Sequence, residues 1–207
     1  MLTASDVATA LGINKFQSIK SLLKQKSTIQ LNINIKSAAM EHGNKYEDEA
    51  RLLFSDRFKI ETWEVGLFQH QEYSWLGGSP DGIADDGNLI EIKCPLSRII
   101  THDIPSHYYP QVQICMEILD RPFCYFIQYV PQSLINNGLL DVKIIPRDSA
   151  WFLSAYPSLK NFWNKVLFFR EHGYSSFDRE KIIDLSMLQF EKLSILNSDS
   201  DSDSEST

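Results

Sequence analysis

Two acids and a lysine, Asp81, Glu91 and Lys93, are the residues of this chain best placed to do chemistry. They stand in Ser79-Pro80-Asp81-Gly82 and, after a short loop, in Leu89-Ile90-Glu91-Ile92-Lys93-Cys94-Pro95. Residues two apart on a β-strand face the same side. Glu91 and Lys93 therefore project together, while Ile90, Ile92 and Cys94 face the other way. A hairpin closed at Asp85-Asp86-Gly87-Asn88 would bring Asp81 back beside Glu91. Two carboxylates and an ammonium would then share one small volume next to an apolar core. Carboxylates that close repel each other, and a hard divalent cation such as Mg²⁺ or Mn²⁺ relieves the repulsion. The set suits a metal-dependent nuclease: the metal would activate water and the lysine would meet the charge that develops on a phosphate.

Two further residues extend the set. Glu47 falls on a helical stripe with Gly43, Ala50 and Phe54, beside Tyr46 and Leu53, where an acid is costly without a partner or a metal. Gln111 shares a stripe with Ile114, Cys115 and Ile118, which puts an amide on an apolar face. Each feature alone has a plainer explanation. Glu47 fits a helix-edge acid, Ser-Pro-Asp-Gly a turn, Glu91 and Lys93 a solvated strand face, and Gln111 a hydrogen-bonded core amide. Together they are harder to dismiss, because the strand holding Glu91 is otherwise apolar. Glu49, four residues after Lys45, reads as half of a surface pair. The five histidines lack ligand spacing, and the sequence has no nucleophilic triad motif and no glycine-rich phosphate loop.

The elements that must carry these residues follow from periodicity and breakers. Helices are expected over 5–11 and 16–26, with Gly12 capping the first, and over 37–57. Residues 27–36 are weakly patterned. Three or four strands are expected across 60–94, with turns at Gly66, Gly77-Gly78 and Asp85–Asn88. A helix over 107–119 tolerates Pro110 only in its first turn. Phe123–Val130 and Leu139–Ile145 read as strands around a Gly/Asn turn, and a helix over 148–171 closes the domain. Residues 177–196 suit a loosely attached helix. The Ser/Asp run from 197 to 207 cannot bury apolar surface, so a disordered, dispensable tail is expected there.

Composition sets the bounds. The 207 residues, 43% of them hydrophobic, suit one domain with a real core. No apolar run is long enough to span a bilayer, and no basic-then-apolar leader opens the sequence. Three cysteines without C-x-x-C spacing favour a reduced, intracellular protein and disfavour a zinc site. The net charge of −7 does not exclude nucleic acid, since four of the acids stand in the last nine residues and phosphate contacts need only a local basic groove.

Four segments occur in order: Gly43-Asn-Lys-Tyr-Glu47-Asp-Glu-Ala50, Gly78-Ser-Pro-Asp81-Gly82, Glu91-Ile-Lys93-Cys-Pro95 and Tyr109-Pro-Gln111-Val-Gln113. With the opening Leu2-Thr3-Ala4-Ser5-Asp6-Val7, they resemble the YqaJ-like viral recombinases, the lambda-type alkaline exonucleases of the PD-(D/E)xK nuclease superfamily. The resemblance covers roughly residues 2–170. It implies an α/β (or α+β) fold with a restriction-endonuclease-like core, a mixed central sheet flanked by helices, over residues 1–175. It also implies DNA as substrate and 5′→3′ hydrolysis from duplex ends, in viral or phage recombination, repair or genome processing. In a virus, the setting would be the cytoplasm or nucleus of an infected cell. By position, Asp81, Glu91 and the Ile92 carbonyl would bind one metal ion and Glu47 would approach a second. Lys93 would contact the attacking water or the scissile phosphate, Gln111 would support the site, and Ser5 would contact a DNA phosphate. Exonucleases of this kind work beside single-strand annealing proteins, although no motif here identifies one, and a homo-oligomer is compatible with the reading.

Two departures bear on these expectations. Family members carry an arginine for the DNA 5′ end ahead of Thr-Ala-Ser, and the sequence given has no counterpart. Weak 5′-phosphate preference and distributive digestion are therefore expected, with Lys15, Lys20 or Lys24 as substitute charges. Members also place an acid about ten residues before the Asp81 position, where this chain has Gln71 followed by Glu72. Two alternatives stay open at this point: an endonuclease of the same fold, and a non-catalytic nucleic-acid-binding or regulatory module.

Overall fold

The computed structural model describes residues 1–28, 37–133 and 136–173, so the expectations for 177–196 and the acidic tail fall outside the described residues. In chain order the elements are β1 (Leu2–Thr3), α1 (Ala4–Ala10), α2 (Ile19–Ser27), α3 (Ala38–Phe58), β2 (Thr62–Trp63), β3 (Phe68–Gln69), β4 (Leu76–Gly78), β5 (Gly82–Ala84), β6 (Leu89–Lys93), α4 (Tyr109–Leu119), β7 (Phe123–Ser133), β8 (Asn136–Pro146) and α5 (Ser149–His172). A five-stranded sheet runs β2-β5-β6-β7-β8, and a smaller one runs β1-β4-β3. Within the large sheet β6 and β7 are parallel and the other pairs antiparallel. The fold is therefore mixed α/β, with helices on the sheet faces.

The alternation of β6 divides the core in two. Leu89 packs with α4 residues such as Val112, Ile114 and Met116 and with Phe126 of β7. Ile90, Ile92 and Cys94 pack instead with Ala50 and Phe54 of α3 and with Ile127 and Tyr129. Burying side chains of this size contributes roughly 1.5–3 kcal/mol each. Two helices are thereby fixed against opposite faces of the strand that carries Glu91. Helix ends have local causes. Ser37 accepts from the Met40 N–H at 3.3 Å to open α3, and Lys59 closes it in the left-handed region at φ 56°. Asp148 accepts from the Trp151 N–H at 2.8 Å to open α5. Pro110 occupies the first turn of α4, where its missing N–H costs nothing.

Several sequence-based expectations are corrected. Five strands, not three or four, lie between residues 60 and 94, and four of them are only two or three residues long. Gly77 and Gly78 form no turn but lie within β4, paired with β1 and β3, and glycine suits position 78 because a Cβ there would come within 3.1 Å of both Cys115 and Ile118. Asn136–Gly138 belongs to β8, in register with β7. Leu53 is 40% exposed, and the buried neighbour on α3 is Arg51 instead. Glu49 does not serve as a partner for Lys45: it accepts a hydrogen bond from the Tyr129 hydroxyl, while Lys45 lies over the Tyr46 ring.

Candidate active site

The β5–β6 hairpin builds the site. Gly87, at φ 81°, allows the tight turn, and the Ala84 N–H reaches the Asn88 carbonyl at 2.9 Å. Gly82 pairs with Ile90 in this register, which sets Asp81 opposite Glu91. Asp81 is then held twice. Its N–H donates to the Ile90 carbonyl at 3.0 Å, and its Oδ2 accepts from the Ile92 N–H at 2.6 Å. The residue that sequence alone could dismiss as part of a turn is thus locked to the neighbouring strand.

Glu91 is only 1% exposed. Its Oε1 accepts from both the Lys93 ammonium and the Gln111 amide of α4. Lys93 Nζ lies 4.0 Å from Asp81 Oδ2 and sits over the Tyr108 ring, 5.3 Å from its centroid. The other Glu91 oxygen, Oε2, is buried without a hydrogen-bond partner among the described residues. An orphaned carboxylate oxygen in a dry site calls for a cation, and hard oxygen donors fit Mg²⁺ or Mn²⁺.

The electrostatics agree with that need. Burial pushes the Glu91 carboxyl up to about 8, against the opposing pull of Lys93, and Asp81 and Glu47 add to the rise. Burial works against the Lys93 charge, yet Glu91 and Asp81 outweigh it and raise its pKa, so the ammonium persists. Glu47 is half-buried, and its carboxyl is raised first by burial and then by Asp81. It reaches this neighbourhood from α3, on the opposite face of the sheet from α4. Among the described residues no three His, Cys, Asp or Glu side chains form a ready-made ion cage, so Glu47 lies within electrostatic reach without closing on Asp81 and Glu91.

Asp81, Glu91, Lys93 and Gln111 are therefore brought together, with Glu47 alongside and the backbone of Ile92 tied to Asp81. Ser5 is not part of this group. It lies exposed in the first turn of α1, its hydroxyl 3.0 Å from that of Thr3. Gln71 and Glu72 line a surface groove of about 700 Å³ with Glu117, Arg147 and Phe152, away from the cluster. Sequence reasoning missed Tyr108 and Arg51. Arg51 lowers the Glu47 pKa against the larger effects, and its position four residues on, on the same helix face, was a usable signal. Gln113 was read only as motif. It is fully buried, donates to the Pro146 carbonyl at 2.9 Å and accepts from the Asp148 N–H at 2.7 Å.

Comparison with known proteins bears on the family and the fold. The profile of the YqaJ-like viral recombinase domain matches residues 1–121. An uncharacterized protein of Acanthamoeba polyphaga mimivirus, R354, is 35% identical over 112 residues, covering 45% of this chain and 20% of that protein. Protein D345L of African swine fever virus is 27% identical over 140 residues, covering 53% of this chain and 40% of its own. The chain thus spans well under half the length of these curated relatives. Among solved structures, an alkaline exonuclease from Laribacter hongkongensis, LHK-Exo, superimposes with a TM-score of 0.70 at 27% identity, over 82% of this chain and 89% of that one. LHK-Exo has also been solved in complex with dAMP.

Proposed function

Because this chain belongs to the YqaJ-like viral recombinase domain family, we propose that its Asp81–Glu91–Lys93 cluster hydrolyses DNA phosphodiester bonds, acting 5′→3′ from duplex ends. The observation that carries the reading is the buried Glu91 oxygen with no partner, on a carboxylate whose other oxygen is held by Lys93. The likeness to an alkaline exonuclease supports the reaction class, and the dAMP complex of that protein is consistent with a DNA substrate. Asp81, Glu91 and the Ile92 carbonyl would hold a Mg²⁺ or Mn²⁺ ion, with Glu47 serving a second. Such an ion, when bound, acidifies a ligated water and neutralises phosphate charge.

The remaining work falls to the chain itself. Lys93 keeps its proton and presents positive charge to the phosphate as negative charge builds up. Gln111 holds Glu91 in one orientation, so the carboxylate need not reorganise during the reaction. Tyr108 backs Lys93 and limits the water around it. The test is to incubate the purified protein with linear and with closed-circular duplex, with and without Mg²⁺. Loss of the linear duplex alone, dependent on Mg²⁺, is expected. Cleavage of the circle would make the protein an endonuclease, and binding without cleavage would make it a regulatory module. Duplexes labelled at one 5′ or one 3′ end settle polarity by the order in which label is released.

A further inference from the structure

Beyond Lys93 the chain leaves β6 and edges a groove that the chemistry above does not use. The groove, of about 290 Å³, lies between Leu96, Ile99 and Ile100 on one side and Val130 and Leu139 of β7 and β8 on the other, with Arg98 in its wall. Val130 and Leu139 are register partners, so the sheet fixes one wall. The segment that forms the other wall is tied down by Gln128, whose Nε2 donates to the Thr101 carbonyl at 2.6 Å, and by Lys143, which donates to Asp103 at 2.8 Å. The walls are apolar yet open to water. Ile99 is 85% exposed, and Leu96 and Leu139 are half-exposed, so covering them is favourable.

A second observation points to an anion. Both Nη atoms of Arg98 are buried and have no hydrogen-bond partner among the described residues. A guanidinium is a fixed cation with five donors. Leaving its terminal nitrogens dry and unpaired is costly unless an anion completes them. The occupant must therefore bring aliphatic carbon and an anion together. A phosphodiester chain brings the anion without the aliphatic side chains. The sequence itself holds a segment with both: Leu193-Ser-Ile195-Leu196 is followed at once by Asn-Ser-Asp199-Ser-Asp201-Ser-Asp203-Ser-Glu205. The reach is sufficient, since residues 174–192 can span roughly 60 Å when extended, more than the width of a domain of this size.

We propose that this groove is the docking site of the chain's own 193–201 segment, with Ile195 and Leu196 against Ile99 and Leu139 and the Asp199 carboxylate on Arg98. A carboxylate matches the fork of a guanidinium through two parallel hydrogen bonds. The groove's position gives docking a consequence, and this part rests on the nuclease reading. Gln128 pairs in register with Lys93. Val130 stands two residues beyond Gln128 on the same face, roughly 7 Å further along the strand. Acids docked there oppose a phosphate chain that approaches Lys93. The segment is thus a built-in brake on DNA binding.

Cysteine cross-linking of the full chain tests the docking without DNA. The native Cys94, Cys115 and Cys124 are free and buried, so new surface thiols react ahead of them. One protein carries Ser97→Cys, at the groove, with Ser198→Cys. The control carries Ser154→Cys, exposed on α5, with Ser198→Cys. Under a mild oxidant the groove pair should close within one chain and faster than the control. Ile195→Ser with Leu196→Ser should abolish that advantage, and Arg98→Gln should reduce it. The two apolar replacements keep every acid, so general charge repulsion is unchanged. In fluorescence anisotropy on a duplex, in Ca²⁺ at low salt, they should tighten binding by about fivefold or more, the size of an ordinary coupling between two sites. Equal closure of the two cysteine pairs, or closure only between chains, overturns docking within the chain. Docking lost in the apolar variant with DNA affinity unchanged overturns the brake. Failure of every form to bind DNA removes the nuclease reading and the brake with it, while the cross-link judges the docking by itself.

Discussion

At Glu91, burial and charge oppose each other, and the balance is measurable. Its carboxyl is held up to about 8 by burial, well above the ordinary value that it regains on unfolding. Without divalent ions the folded state therefore binds a proton that the unfolded state releases. That contribution is complete below the ordinary carboxyl range and is lost as pH rises through about 8. Thermal melts of the metal-free protein should thus fall between pH 5 and 9, and Glu91→Gln should flatten the fall. The same variant should be more stable than wild type at the alkaline end by on the order of 1 kcal/mol. An identical pH slope in both proteins would show that Glu91 is not the titrating group. For activity, Asp81→Asn and Lys93→Ala should each lower the rate of hydrolysis by about 10²–10³-fold or more, with melting temperatures close to wild type. Near-normal rates in either variant would remove the proposed site.

The hairpin β5–β6 shows how an element sets the distance between acids. Gly87 sits at φ 81°, a conformation that strains any L side chain, so Gly87→Ala should cost about 1 kcal/mol. Because the turn sets the register of Asp81 against Glu91, activity should fall by more than that stability loss explains. Urea unfolding and initial rates on the same preparation make the comparison. Much of this element was legible in sequence, since an Asp-Gly turn between apolar runs and a period of two fix both the pairing and the faces. Helix α3 was also legible, through the stripe of Gly43, Glu47, Ala50 and Phe54. What eluded sequence depends on contacts across the fold. Gly77 and Gly78 read as a turn because the neighbours that demand glycine lie elsewhere in the chain: the Phe68 carbonyl of β3 beside Gly77, and Cys115 and Ile118 of α4 beside Gly78. Glu49 read as a surface acid because its partner Tyr129 is 80 residues away. Tyr108 carried no signal of its own, since its role depends on where Lys93 lies. The site itself was clearest where its residues share one strand and faintest where a second helix supplies them.

For the whole molecule, the two core clusters clamp β6 from both sides, so an ion bound at the strand end should stabilise the entire fold. Ligands that bind only the native state raise its melting temperature by mass action. Mg²⁺ and Mn²⁺ should do so, more at pH 8 than at pH 6, because a ligating Glu91 must first lose its proton. Ca²⁺ should raise the melting temperature while supporting little turnover, and full activity in excess chelator would refute the metal-assisted reading. Among the described residues no helix is long and apolar enough to cross a membrane. The framework also separates what is fixed from what can vary. The hydrogen bonds around Asp81 and Glu91 come from β6 and α4, while residues 95–107 contribute no regular element. Lineages sharing this scaffold could therefore lengthen, shorten or rewrite that one segment, altering what docks on it while the reaction they perform is inherited intact.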